Sequence, residues 1–240
     1  MSKSLSQRLL AEAVGCVLLA ATVVGSGVMG ESLANGNLAV ALLANTLATV
    51  ATLLVIITLF GPISGAHFNP AVTIVLACRR AIEWRDASAY VVVQMLACCA
   101  GTVLAHAMFA LPLIEWSSHV RSGPAQVLSE VIATFGLLMV VLGHRRPTDA
   151  AWLVAAWIGA AYWFTASTSF ANPAITIGRA LTNTFAGISP ADVPGFVVGQ
   201  ALGSLLAVVI ASRIFSAQRE QPSRVAESAP PRGKVEDNVT

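Results

Sequence analysis

Six long apolar stretches dominate the chain, near residues 9–29, 38–60, 88–111, 125–143, 150–166 and 193–213. Each reads as a bilayer crossing, which takes about 20 mainly apolar residues in a helix. Two shorter helical pieces, about 69–78 and 172–181, reach only half way across at roughly 1.5 Å per residue. Both open on the same tripeptide, Asn69-Pro70-Ala71 and Asn172-Pro173-Ala174, and continue almost identically as N-P-A-V-T-I and N-P-A-I-T-I. Asn before Pro is kept out of the helical region, while Pro is favoured at the first helical position. Each copy therefore predicts a helix start capped by Asn. Inside a membrane such a start exposes backbone donors and a positive dipole end, which is tolerable only along a polar path.

The duplication extends beyond the tripeptides. Glu12 in the first span corresponds to Glu130 in the fourth, and Gln94 in the third to Gln200 in the sixth. Three crossings per copy is an odd number, so the copies lie in opposite orientation, an inverted repeat with its site near the midplane. The expected fold is all-α and integral to the membrane: six transmembrane helices and two re-entrant half-helices. It forms one channel domain over 1–215, with repeats at about 8–111 and 125–215 and a disordered cytoplasmic tail at 216–240.

Composition agrees with that reading. The chain is 56% hydrophobic and only 11% charged, where soluble domains carry about 25% charge. The first stretch, Leu9 to Met29, has no cleavage pattern and is expected to be retained. With both termini in the cytoplasm, all of the 14 Lys and Arg residues except Arg121 and Arg179 fall on the cytoplasmic side. This places the protein in the cell (inner or plasma) membrane, with the lipid bilayer as its surroundings. Cys16, Cys78, Cys98 and Cys99 lack metal or redox spacing and read as small buried hydrophobes. No nucleophile, base or metal set converges, so an enzyme, a cofactor and a nucleic-acid partner find no support.

Two half-helix N-termini meeting head to head put about half a positive charge each at mid-membrane, which repels cations and hydrated protons. Asn69 and Asn172 can each offer an amide donor to a neutral solute besides capping their helices. Carbonyls of Gly65, Ala66 and His67 on one side, and of Ser167 to Ala171 on the other, form the expected acceptor ladder. Glu12 and Glu130 are the acidic groups deep inside spans, and intramembrane carboxylates are functional suspects.

Paired Asn-Pro-Ala motifs on inverted half-helices, with S-G-A-H-F-N-P-A-V-T at Ser64 to Thr73, resemble the aquaporin and aquaglyceroporin family over roughly residues 8–215. The resemblance implies an hourglass fold, one pore per protomer and a homotetramer. It assigns Glu12 and Glu130 to accepting backbone N–H groups of the half-helix loops, with Gln94 and Gln200 serving alike. His106 reads as a hydrogen-bonded packing residue.

In family members four positions set the outer constriction. Counting back from Asn69 gives Thr49; counting back from Asn172 gives Ala160 and Ser169; the residue directly after the second motif is Ile175. The family pattern there is Arg, so this chain departs from it. The constriction is expected to be wide, uncharged and mildly polar, suited to neutral polyols or hydroxylated metalloid acids rather than strictly to water. The S-F-A-N-P-A-I-T-I run is similar to a bacterial, arsenic-associated branch that also lacks the Arg, which implies arsenous acid among the solutes. Arg179, four positions after Ile175, shares its helix face one turn outward. It either overhangs the outer pore mouth or snorkels to the headgroups.

A passive channel for small neutral solutes is therefore the leading reading, with a water-selective channel as the alternative. An ion-coupled transporter would need titratable groups along the path beyond Glu12 and Glu130. An adhesive role would need outer loops that present a sizeable surface, and those here are short except Pro112 to Pro124.

Overall fold

The computed structural model describes residues 3–144 and 146–215, and these are helical apart from the connecting segments, the longest of them between Met108 and Pro124. Eight α-helices follow in order: α1 (Leu5–Leu33), α2 (Leu38–Ser64), α3 (Pro70–Cys78), α4 (Trp84–Met108), α5 (Pro124–Gly143), α6 (Ala150–Phe164), α7 (Pro173–Arg179) and α8 (Val193–Ile214). Five of them, α1, α2, α4, α5 and α8, are long and apolar enough to cross a membrane. The stretch expected to span 150–166 forms the 15-residue α6, about 22 Å long and short of the roughly 30 Å hydrocarbon core. The region beyond Ser216 expected to be disordered lies outside the described residues.

Asn69 and Asn172 cap α3 and α7 as their sequence requires. Both have extended backbones (φ −157° and −156°) and precede a proline at the first helical position. The two halves pack alike, with α1 against α2 and α4, and α5 against α6 and α8. They interlock through α2 and α6, while half-helix α7 lies against α4 of the first half and α3 touches α8 of the second.

Close helix approach depends on glycine. A Cβ at Gly101 of α4 would stand 2.5 Å from the Val17 carbonyl of α1, and one at Gly203 of α8 would collide with the Val131 carbonyl of α5. Cys16 and Cys98 are buried as expected, but Cys78 is exposed at the end of α3 and Cys99 is half-buried; all four are free thiols. Cys78 closes a half-helix whose last turn reaches the surface, so apolar neighbours in sequence did not imply burial. The outward faces of the long helices carry exposed apolar side chains such as Leu47, Val55, Leu96 and Leu205, as a surface solvated by lipid requires.

Gly101→Leu is expected to separate α1 from α4 and abolish a monodisperse size-exclusion peak. Gly61→Ala, where nothing lies within 4 Å of the added carbon, should leave that peak intact. Equal behaviour of the two variants would contradict the packing described.

Candidate functional site

The local structure of the site is dictated by two irregular segments inside an apolar slab. Residues 65–69 and 165–172 are non-helical, and their backbone N–H groups need acceptors that lipid cannot supply. Glu12 provides them in the first half. Its Oε1 accepts from Ser64 Oγ (2.6 Å) and His67 N (3.0 Å), and its Oε2 from Phe68 N (2.7 Å) and Gln94 Nε2 (2.8 Å). Glu130 repeats the arrangement, accepting from Ser167 Oγ (2.6 Å) and Phe170 N (2.9 Å) on Oε1. Its Oε2 accepts from Ala171 N (2.9 Å) and Gln200 Nε2 (2.7 Å). Both carboxylates are fully buried, and four donors fill the acceptor capacity of each.

The glutamines carry the network onward. Gln94 Nε2 also donates to Thr73 Oγ1 and Gln200 Nε2 to Thr176 Oγ1, both at 2.9 Å. Those threonines donate back to the carbonyls of Asn69 and Asn172. The side chains of Thr73 and Thr176, like those of Ser64 and Ser167, have no role assigned from the sequence alone. The signal was present, because each pair occupies matching places in the two copies.

The backbone of the two loops matches as well. Gly65, Ala66 and Phe68 have positive φ (88°, 50° and 48°), and so do Thr168, Ser169 and Ala171 (58°, 50° and 47°). Five of these six residues are not glycine, so the left-handed turns are held by the surrounding bonds rather than by intrinsic preference. Among the described residues, no hydrogen bond ends on the carbonyls of Gly65, Ala66 or His67.

At the centre the loops hold each other. Asn69 Nδ2 donates to the Ala171 carbonyl and Asn172 Nδ2 to the Phe68 carbonyl, both at 2.8 Å. The Oδ1 atoms face their own helices, accepting from Ala71 N (2.9 Å) and from Ala174 N (3.0 Å) and Ile175 N (3.3 Å). An amide nitrogen carries two hydrogens, so each Asn keeps one donor beyond its cross-loop bond.

A cavity of about 680 Å³ passes these groups. One wall is polar, with Gly65, Ala66, His67, Asn69, Asn172 and Ser169. The other is apolar, with Leu19, Val23, Leu53, Leu137, Val141 and Ile158. His144, Thr148 and Trp152 line one end, and Thr49, Tyr162, Ile175 and Arg179 line the other. Glu12, Glu130, Gln94 and Gln200 stand behind the loops and do not line it.

One expected wall residue is misplaced. Ala160 is exposed on the outside of α6, while Ile158 and Tyr162 face the cavity. Two residues along a helix turn about 200°, so 160 points away when 158 and 162 point in. Counting from Asn172 failed because it crossed an irregular loop that carries no helical register. Tyr162 Oη lies 3.5 Å from Thr49 Oγ1, which returns an aromatic ring to a wall expected to lack bulk.

Arg179 is 4% exposed and on the cavity wall rather than among headgroups. Its Nε donates to the Ala186 carbonyl, and its guanidinium carbon lies 3.3 Å from the centroid of the Phe170 ring. His106 is hydrogen-bonded as expected, to the Pro112 carbonyl and to Thr182 Oγ1.

Paired half-helices, crossed asparagines and a cavity through the bilayer-spanning bundle define a membrane channel for small solutes. Residues 1–163 match the family described as Major intrinsic protein. Aquaglyceroporin AqpS of Rhizobium meliloti (strain 1021) is 53% identical over 210 residues, covering 86% of this chain and 89% of the relative. Probable aquaporin AqpM of Archaeoglobus fulgidus is 28% identical, covering 86% of this chain and 96% of the relative. The X-ray structure of the aquaglyceroporin from Plasmodium falciparum superimposes with a TM-score of 0.69 at 20% identity, over 90% of this chain and 98% of that one. The chain belongs to the major intrinsic protein family of aquaporins and aquaglyceroporins, and is a multi-pass membrane protein.

Two outcomes follow from the geometry. Glu130→Ala leaves four buried donors without an acceptor, at about 1–3 kcal/mol each, and should yield no monodisperse protein, with Glu130→Gln intermediate in thermal stability. An alanine variant that elutes and melts like the wild type would show that something else holds the loop. Tyr162→Ala should raise glycerol permeability in proteoliposomes, whereas Ala160→Leu should not change it; the reverse pattern would place 160, not 162, on the path.

Proposed function

We propose that this protein is a passive channel for small uncharged hydroxylated solutes, including glycerol-like polyols, arsenous acid and related metalloid acids, with water also passing. The observation that carries the reading is Ile175, buried on the cavity wall directly after the second Asn-Pro-Ala, where the family pattern is Arg. Thr49 and Ser169 add only small hydroxyls beside it. An uncharged side chain there admits a solute wider than water, and a polar strip facing an apolar wall suits molecules with hydroxyls on one face and carbon on the other. The name of the Rhizobium relative, aquaglyceroporin, agrees with that class.

In this reading Asn69, Pro70, Ala71, Asn172, Pro173 and Ala174 form the midplane gate. The half-helix dipoles oppose cations there, and the free amide hydrogens orient solute oxygens. The carbonyls of Gly65, Ala66 and His67 accept from solute hydroxyls on the inner side. The protein works as a homotetramer in the cell membrane with both termini cytoplasmic, an orientation supported by the distribution of Lys and Arg.

A water-selective channel is the second reading, favoured by Tyr162 and Arg179, which restore bulk to the outer wall. Ion coupling gains no support from Glu12 and Glu130, whose acceptor capacity is occupied by the loops.

Stopped-flow light scattering on proteoliposomes, comparing water, glycerol and arsenous acid, separates the two. Fast glycerol and arsenous acid entry is expected; fast water with neither solute would overturn the substrate class. Ile175→Arg should cut glycerol and arsenous acid entry at least several-fold while sparing water. Equal entry before and after that change would show that residue 175 does not limit solute size.

A further inference from the structure

Arg121 and Arg179, the two basic residues not assigned to the cytoplasmic side, converge on one short stretch of backbone. Arg121 Nε donates to the Gly187 carbonyl (2.8 Å) and its Nη2 to the Phe185 carbonyl (3.3 Å). Arg179 Nε takes the carbonyl between them, that of Ala186. Phe170 lies against both, 5.3 Å from the Arg121 guanidinium carbon and 3.3 Å from that of Arg179.

The two arginines differ in what remains unused. Arg121 does not line the cavity, whereas Arg179 does. Among the described residues Arg179 has no carboxylate within 4.0 Å, and its one acceptor is taken through Nε, leaving both Nη groups without a protein partner. Ser169, on the same wall, is 2% exposed and its hydroxyl also has no partner. A buried guanidinium and a buried hydroxyl left open on a cavity wall are groups awaiting a ligand. Helical side chains lean toward the N-terminus, so residue 179 covers the surface one turn back, over Ile175. No residue from 112–123 or 180–192 lines the cavity, so Arg179 stands at its outer limit.

We propose that Arg179 is the specificity-determining cation of the outer constriction. Acting from one helical turn beyond position 175, it donates with Ser169 Oγ to the oxygens of a neutral hydroxylated solute and bars cations by its charge. The Ala186 carbonyl and the Phe170 ring fix the guanidinium in place, while Arg121 holds the flanking carbonyls and so the loop that carries the first of these anchors. The solute arm of this proposal rests on the channel function above; the cation arm does not.

The test uses the full chain in proteoliposomes, reading glycerol entry by light scattering and proton entry by a trapped pH-sensitive dye under a potassium–valinomycin potential. Arg179→Gln keeps a hydrogen-bond donor for the Ala186 carbonyl but removes the charge. It is expected to raise proton entry at least about tenfold, while Arg179→Lys keeps it at the wild-type level. Proton entry in Arg179→Gln equal to wild type overturns the proposal, whether or not glycerol passes. Absence of glycerol flux in the wild type would instead overturn the substrate class and leave the proton comparison readable. Should neither Arg179 variant reconstitute, Ser169→Ala removes a single oxygen; a several-fold fall in glycerol entry with water unchanged supports the donor pair, and unchanged glycerol entry overturns it.

Discussion

Non-helical backbone inside a hydrocarbon slab must find its hydrogen-bond partners within the protein, and in this chain two glutamates supply them. Each carboxylate binds one loop by two backbone N–H groups and one serine hydroxyl, and a glutamine behind it fills the remaining lone pair. With the N–H groups turned outward to the glutamates, the carbonyls of 65–67 are left without partners among the described residues and available to the cavity. The left-handed residues within each loop accompany the same arrangement, in which neighbouring N–H groups meet one carboxylate. Burying a charge is costly unless it is fully hydrogen-bonded, and the saturation of Glu12 and Glu130 meets that condition.

The crossed asparagines join the two halves of this framework. Each caps its own half-helix through Oδ1 and ties the opposite loop through Nδ2, so each half's motif braces the other's. A spare amide donor on the cavity wall at the midplane is then a by-product of a structural clasp. The second amide hydrogen is fixed in direction because the first is already used.

The fold was legible in the sequence because its signals are local and repeated. Apolar stretch lengths, two Asn-Pro-Ala helix starts and the pairs Glu12–Glu130 and Gln94–Gln200 each survive without knowledge of distant contacts. The site was legible only where it lies on that repeat. Tyr162 and Ile158 were missed, and Ala160 wrongly included, because register was carried across a loop with no period. The true facing of α6 comes from its spacing of Ala151, Val154, Ile158 and Tyr162, an every-three-or-four pattern that a uniformly apolar helix conceals. Arg179 was visible as sharing the face of Ile175, but its burial depends on Phe170 and Ala186, which arrive from elsewhere in the chain. Among the matched loop positions that differ between the halves is the pair His67 and Phe170. His67 meets Thr73 Oγ1 and the Tyr90 ring, whereas Phe170 seats a guanidinium. That divergence makes the two ends of a symmetric frame chemically different.

On the proposed function, solute oxygens are handed along groups which the glutamate-held loops leave free. A high-resolution density map of the protein in lipid nanodiscs equilibrated with glycerol tests it most directly. Solute or water oxygens are expected within about 3 Å of Asn69 Nδ2 and Asn172 Nδ2, continuing past the carbonyls of Gly65, Ala66 and His67. Density that bypasses both asparagines, or a water bound to Glu12 or Glu130 in place of a loop N–H, would contradict it.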